Sequence, residues 1–151
     1  MILFGAFFLC SVLVIFIGMS FWSNFGTTPD IGLKNGQLKP CPESPNCVCS
    51  EFVDDENHYI DSIILSDSRD EAINKAVEVI LSMGGEVING SDDYIHAVFT
   101  TPIFRFKDDV ELRFNDGNLF LKSSSRVGYS DFGANRKRIL AFQRKFSDLV
   151  P

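Results

Sequence analysis

Three short stretches hold most of the side chains that could do chemistry. The first is Cys41-Pro42-Glu43-Ser44-Pro45-Asn46-Cys47-Val48-Cys49. Two prolines stiffen it and Asn46 tolerates a turn conformation, so Cys41 and Cys47 stand close enough to be bridged around the bend. A disulfide staple in an oxidising compartment is the plainest reading, with Cys49 left over. Two other readings stay open. Cys41, Cys47, Cys49 and His58 could supply four zinc ligands, although C-x5-C-x-C is not a usual spacing. Cys47 could also be a nucleophile if His58 or His96 came within reach as a base, as a hydrolase or redox enzyme would require.

The second stretch is Asp108-Asp109-Val110-Glu111. Paired carboxylates can move protons or hold a hard cation. Strand alternation, however, groups Asp109 and Glu111 with Arg113 on one polar side, which predicts a solvated face. Cys47, His96 and Asp109 are the catalytic candidates.

The third runs from Ser123 to Arg138, a polar, glycine-punctuated loop entering a helix. Helix starts bind anions through free backbone N–H groups. The loop is neither a Walker A loop nor a dinucleotide fingerprint. Arg136, Lys137 and Arg138 crowd the first turn, where each exposed cation opposes the macrodipole by about 0.3–1 kcal/mol. A negative partner is therefore expected, either Asp108 and Asp109 or an external anion. Helical phase sets Arg138 at the border of the buried face, Arg136 farther round and Lys137 in solvent, dispensable. Arg126, Asn135, Arg136 and Arg138 are the ligand-binding candidates, with Arg126, Asn135 and Arg138 expected to share one pocket. No metal and no cofactor is expected.

An α+β frame must position these groups. Ser68 and Glu71 form a capping box for a helix over 68–83, with Ile73, Ala76, Val77 and Ile80 at helical spacing and Gly84-Gly85 as the stop. His58 to Leu65 reads as a strand, as do 86–89, 94–100, 109–115 and 118–124, the last two joined by a tight turn at Asp116-Gly117. Val110, Leu112 and Phe114 share one side with the apolar face Ile95, Ala97 and Phe99, leaving His96 opposite. Pro102 interrupts, and Phe104 and Phe106 restart the alternation. A last helix over 135–149 gathers Ile139, Phe142, Phe146 and Leu149 on one face around Asn135. This predicts an antiparallel sheet with two helices packed on one face, preceded by an N-terminal transmembrane helix.

That leading helix comes from charge and hydropathy. The chain of 151 residues has no Asp, Glu, Lys or Arg before Asp30. Ile2 to Trp22 would span roughly 31 Å as a helix, close to a bilayer core of about 30 Å. Trp22 and Phe25 fall where interfacial anchors belong. A cleaved signal peptide, with Gly18-Met19-Ser20 as its site, and lipidation at Cys10 after Leu9 are the rivals of an uncleaved anchor. The expected organisation is an anchor over 1–25, a linker over 26–40 and one domain over 41–151. With 14 basic against 20 acidic residues, a net of −6, nucleic-acid binding is not expected. Residues 126–145 nevertheless carry six basic residues against one acidic. Lys34 and Lys39 on the C-terminal side give only a slight cytoplasmic bias.

CPESPNC, YIHAVFTTPIFRFKDDVE and SSSRVGYSDFGANRKR closely resemble the three blocks of the family called domain of unknown function 1499, found in bacteria and plant plastids. The usual patterns are CPxSPNCVSS, HAEFxSxxFxFxDDVEF and RSASRVGYSDLGVNRKR. This chain departs with Cys49 for Ser, Val98 for an acidic residue and Lys122 for Arg. Members often carry an anchor, lipoprotein signal or transit peptide, which implies an extracytoplasmic domain. No activity is established for the family. The resulting expectation is a single-pass inner-membrane protein held in the lipid bilayer through residues 2–22. Its periplasmic domain would bind a small anion or an envelope protein.

Overall fold

The computed structural model describes residues 2–23, 30–66 and 68–149, with side chains from Cys10 onward. Met1, Phe25, residues 26–29 of the expected linker and the last two residues lie outside the described set. The elements are α1 (Ile2–Phe21), β1 (Leu33–Lys34), β2 (Gln37–Leu38), β3 (Cys47–Cys49), β4 (Ile63–Ile64), α2 (Arg69–Ser82), β5 (Glu86–Ser91), β6 (Tyr94–Thr100), β7 (Lys107–Asn115), β8 (Asn118–Ser125) and α3 (Ala134–Asp148).

The sheet is antiparallel in the order β3-β8-β7-β6-β5, and β4 pairs with the other half of β8. Asp116 and Gly117, both at positive φ, close the β7–β8 hairpin as the Asp-Gly pair predicts. On one face Ile95, Ala97, Val110, Leu112, Phe114, Leu119 and Leu121 are buried against α2 and α3. From α2 come Ala72, Ala76, Val79 and Ile80, and from α3 Ile139, Phe142 and Phe146. Truncating an aromatic such as Phe142 in this core would cost about 3–5 kcal/mol. The capping box of α2 is present in both directions, with Ser68 Oγ accepting from the Glu71 N–H and the Glu71 carboxylate accepting from the Ser68 N–H.

Several expectations change. Asp109, Glu111 and Arg113 are not a solvated face; all three are buried. They lie on the sheet face opposite the helices, and a ribbon that reads as linker reaches the Glu111 carboxylate. Asn35 and Gly36, both at positive φ, turn that ribbon into the β1–β2 hairpin, so residues 30–39 belong to the domain. The strand expected from His58 to Leu65 shrinks to Ile63–Ile64, because Asp55 accepts hydrogen bonds from the His58 and Tyr59 N–H groups and winds that segment into turns. Phe104 and Phe106 do not restart a strand. Residues 101–106 form a closed turn, and both rings pack on Phe16 of α1. Leu149, past the end of α3, is 39 % exposed rather than part of the core.

The described residues hold three helices, two on the sheet and α1 against the loops at its edge. Among residues described with side chains, no helix is long and apolar enough to cross a membrane. Ser23, just beyond α1, is fully buried and accepts a hydrogen bond from the Lys107 N–H at 2.9 Å. This ties the end of α1 to the start of β7.

Candidate functional site

Strand register stacks the charged groups of the second face in rows. Val98, Asp109, Ser124 and Cys47 form one row, and His96, Glu111, Lys122 and Cys49 the next. Tyr94, Arg113 and Phe120 form a third. Each charge has a partner. Arg126 grips Asp109 with two bonds of 2.8 Å, and His96 Nε2 lies 2.7 Å from the same carboxylate. Because an ionised Asp109 can only accept, Nε2 carries the proton. Burial pushes the Asp109 pKa up, but the bonds from Arg126 and His96 outweigh it and hold the carboxyl below its usual range. The Asp109 carboxylate in turn raises the Arg126 pKa.

Glu111 is completely buried. Its Oε1 accepts from Tyr94 Oη at 2.7 Å and from the Gly32 N–H at 2.6 Å. Among the described residues its Oε2 accepts no hydrogen bond and is balanced by the Lys122 ammonium at 3.3 Å. Burial, with Glu111 adding to it, raises the Tyr94 pKa. Arg113 forks onto Glu51 and lies over the Phe120 ring at 4.3 Å.

A second polar cluster sits on the helix side. Asn135 is buried with both ends of its amide used. Nδ2 donates to the Asn46 carbonyl at 2.8 Å and to Ser125 Oγ at 2.9 Å. Oδ1 accepts from Ser123 Oγ at 2.6 Å and from Arg138 at 2.7 Å. Arg138 also pairs with Asp108 at 2.6 Å and lies over the Phe99 ring. Arg136 donates to the carbonyls of Tyr59 and Asn57. Asn46 Nδ2 reaches the Gly128 carbonyl, so residues of the first and third blocks are clipped together.

Asn135 and Arg138 therefore do meet, but Arg126 is not with them. Asp108 and Asp109 are neighbours on one strand, so they face opposite ways. Arg138 follows one to the helix side and Arg126 follows the other to the ribbon side. The anion expected at the helix start includes one not foreseen. Asp131 accepts from the Gly133 and Asn135 N–H groups at 3.0 and 2.7 Å, capping α3. Asp131 lies two residues before Gly133, the N-cap, so the usual capping rule does not single it out in the sequence. Glu51 and Tyr94 carried no signal either. Beside this start an open cleft of about 550 Å³ is lined by Phe99, Thr100, Thr101, Ala134, Lys137 and Arg138, among others.

Cys41 and Cys47 are disulfide-bonded with Cα atoms 5.7 Å apart. In the chain-entropy account such a short loop contributes about 2–3 kcal/mol. Cys47 is therefore not a free thiol. Cys49 is free but buried, and burial pushes its thiol up to about 11. His58 lies 2.8 Å from Asp55 and 3.2 Å from the Ser44 carbonyl, so the four-ligand zinc arrangement is not assembled. Among the described residues no cluster of three His, Cys, Asp or Glu could hold a metal ion.

The fold and these clusters define an α+β sandwich with one disulfide-stapled loop and a fully paired charged layer under a hairpin ribbon. The chain belongs to the DUF1499 family of proteins of unknown function, whose model matches residues 37–146. Comparison with curated proteins gives no match.

Proposed function

We propose that this protein is a membrane-anchored, extracytoplasmic binding or accessory module. Residues 2–22 hold it in the inner membrane and its domain lies in the periplasm. The supporting observation is the pairing of its reactive groups. Cys47 is bonded to Cys41, and Asp109 is held between Arg126 and His96. A hydrolase or redox enzyme using Cys47 would first have to open that bond. The only other described cysteine in the domain is a buried thiol with a raised pKa, a poor attacking group at neutral pH.

The ligand is a small anion or the acidic surface of an envelope protein, taken at the cleft beside α3. There the exposed Lys137 supplies charge beside the Arg138–Asp108 pair, and Thr100 and Thr101 supply hydroxyl groups. Asn135 and Arg136 hold the helix start in place, and Arg126 braces the strand beneath it. A disulfide also suits a compartment that keeps thiols oxidised. Thermal melting of the full chain with phosphate, sulfate and carboxylates tests the binding site. Stabilisation should rise with the logarithm of anion concentration above the dissociation constant, and a melting point indifferent to all three would refute the site. Reporters active on one side only, fused after Pro151, test the location. Activity of a cytoplasm-only reporter would overturn it.

A further inference from the structure

The turn over residues 101–106 is built to be rigid. The Thr101 N–H donates to the Phe106 carbonyl at 2.9 Å, and Thr101 Oγ1 accepts from the Phe106 N–H at 2.9 Å. The Arg105 N–H closes onto the Thr101 carbonyl at 3.1 Å. Its tip presents Pro102 and Ile103, the latter 81 % exposed, beside the exposed Arg105. Exposure alone does not set Ile103 apart, since Ile64 on β4 is 84 % exposed; its place beside α1 does.

The position of this turn along α1 suggests what covers it. Phe104 stacks on Phe16 with ring centroids 4.3 Å apart. Ile103, Phe104 and Arg105 share a cleft of about 460 Å³ with Leu13, Phe16, Ile17 and Phe21. Leu13 lies nine residues before Trp22, which is about 13 Å along a helix. The turn therefore runs back beside the apolar helix instead of stopping at its end. On another side of α1, Arg126, Val127 and Gly128 meet Gly18, Met19 and Trp22, which fixes the level of the helix end. Pro102 at the base of the turn lines the same cleft as the exposed Lys137, so a cation sits where lipid phosphates would lie.

We propose that the Pro102-Ile103-Phe104 turn is a second membrane contact, dipping into the acyl region of the bilayer that α1 occupies. This rests on the anchoring proposed above. It makes the domain a body seated on the membrane, with its far end at the β4 and Asp116-Gly117 edge.

Trp22 is the one tryptophan of the chain, so fluorescence can report depth. Full-length protein is placed in phosphatidylcholine–phosphatidylglycerol nanodiscs with or without bromine on the upper acyl chains. Wild type reads Trp22. A Trp22→Phe, Ile103→Trp variant reads the turn, and a Trp22→Phe, Ile64→Trp variant reads the far end, where Ile64 is 84 % exposed on β4. Far-UV circular dichroism confirms that all three are folded. The expected result is blue-shifted emission lost to brominated lipid for the residue-103 probe and Trp22, and red, unquenched emission for the residue-64 probe. Red, unquenched emission from residue 103 with Trp22 quenched would overturn the turn contact and leave the anchor standing. Blue-shifted but bromine-insensitive emission from residue 103 would mean that protein covers the turn, which also overturns it. If Trp22 itself is unquenched, the anchor fails and the turn contact with it.

Discussion

Replacing Arg138 by Ala separates structural charge from surface charge at the helix start. The Arg138 side chain is 14 % exposed and its partner Asp108 only 5 %. Removing the guanidinium strands a buried carboxylate, which costs about 3–5 kcal/mol for a buried pair. Residual water access at Arg138 places the loss near the lower end, about 3 kcal/mol. At about 4 °C per kcal/mol for a domain of this size, the melting point should fall by roughly 12 °C. Arg138→Ala also frees Asn135 Oδ1 and Ser123 Oγ of one donor. Lys137 is exposed, with no such partner among the described contacts, and Lys137→Ala should stay within about 0.5 kcal/mol of wild type. Urea titration of the full chain in micelles, followed by far-UV circular dichroism, gives both values. Asp108→Asn in the Arg138→Ala background should recover about 1–2 kcal/mol, since the stranded charge is gone. Equal, small losses from Arg138→Ala and Lys137→Ala would refute the ion pair as a structural element.

The Asp109 carboxyl is held below its usual value, so the stability it contributes is complete at neutral pH and fades as acid takes the pH down through that lowered value. Asp109→Asn should lower the melting point at pH 7 and flatten the decline on acidification; an unchanged acid limb would contradict the pairing. Gly85→Ala places a Cβ 2.6 Å from Phe99 Cζ and 2.8 Å from Ile80 Cγ2, and should cost about 1–3 kcal/mol by urea titration. Gly84→Ala meets no atom but carries a φ of 81°, so a loss of about 1 kcal/mol is expected from backbone strain alone. Non-reduced peptide mapping should find Cys41 joined to Cys47, with Cys49 alkylated only on unfolding; rapid labelling of Cys49 in the folded protein would contradict its burial.

Much of the frame was legible because local signals agreed with the tertiary structure. Ser68 and Glu71 mark α2 whatever packs on it, and Asp-Gly at 116–117 can hardly be anything but a hairpin turn between alternating strands. The second face of the sheet was not legible. Alternating Asp109, Glu111 and Arg113 present the same pattern whether water or a covering ribbon lies above them. The ribbon could have been found, since Asn35-Gly36 is itself a hairpin signal, but its two-residue strands carry no apolar period. The 101–106 turn misled for a different reason. Phe104 and Phe106 alternate like a strand, yet their partner is a helix ring and not a neighbouring strand.

At the site, the bend between the prolines made the disulfide the plainest of three readings, and helical phase put Arg138 at the buried border while leaving its partner open between Asp108, Asp109 and an external anion. The shared pocket for Arg126 and Arg138 failed on a rule already visible in the sequence, that adjacent strand residues face apart. What that separation creates is more informative than the pocket would have been. The ribbon side holds three acid–base pairs, Glu51 with Arg113, Glu111 with Lys122 and Asp109 with Arg126. Buried pairs of this kind add little net stability over apolar residues, so stability is a weak account of them. Their directional bonds do fix a register. Glu111 accepts from the Gly32 backbone, and Glu51 accepts from the Leu38 N–H, so the ribbon can dock in one place. The Ser23 hydroxyl holds the start of β7 from the other side of the undescribed residues. Gly32 and Ser23, on either side of the undescribed residues, are therefore both tied to the sheet, one through the Glu111 carboxylate of the charged layer and the other through the backbone at the start of β7.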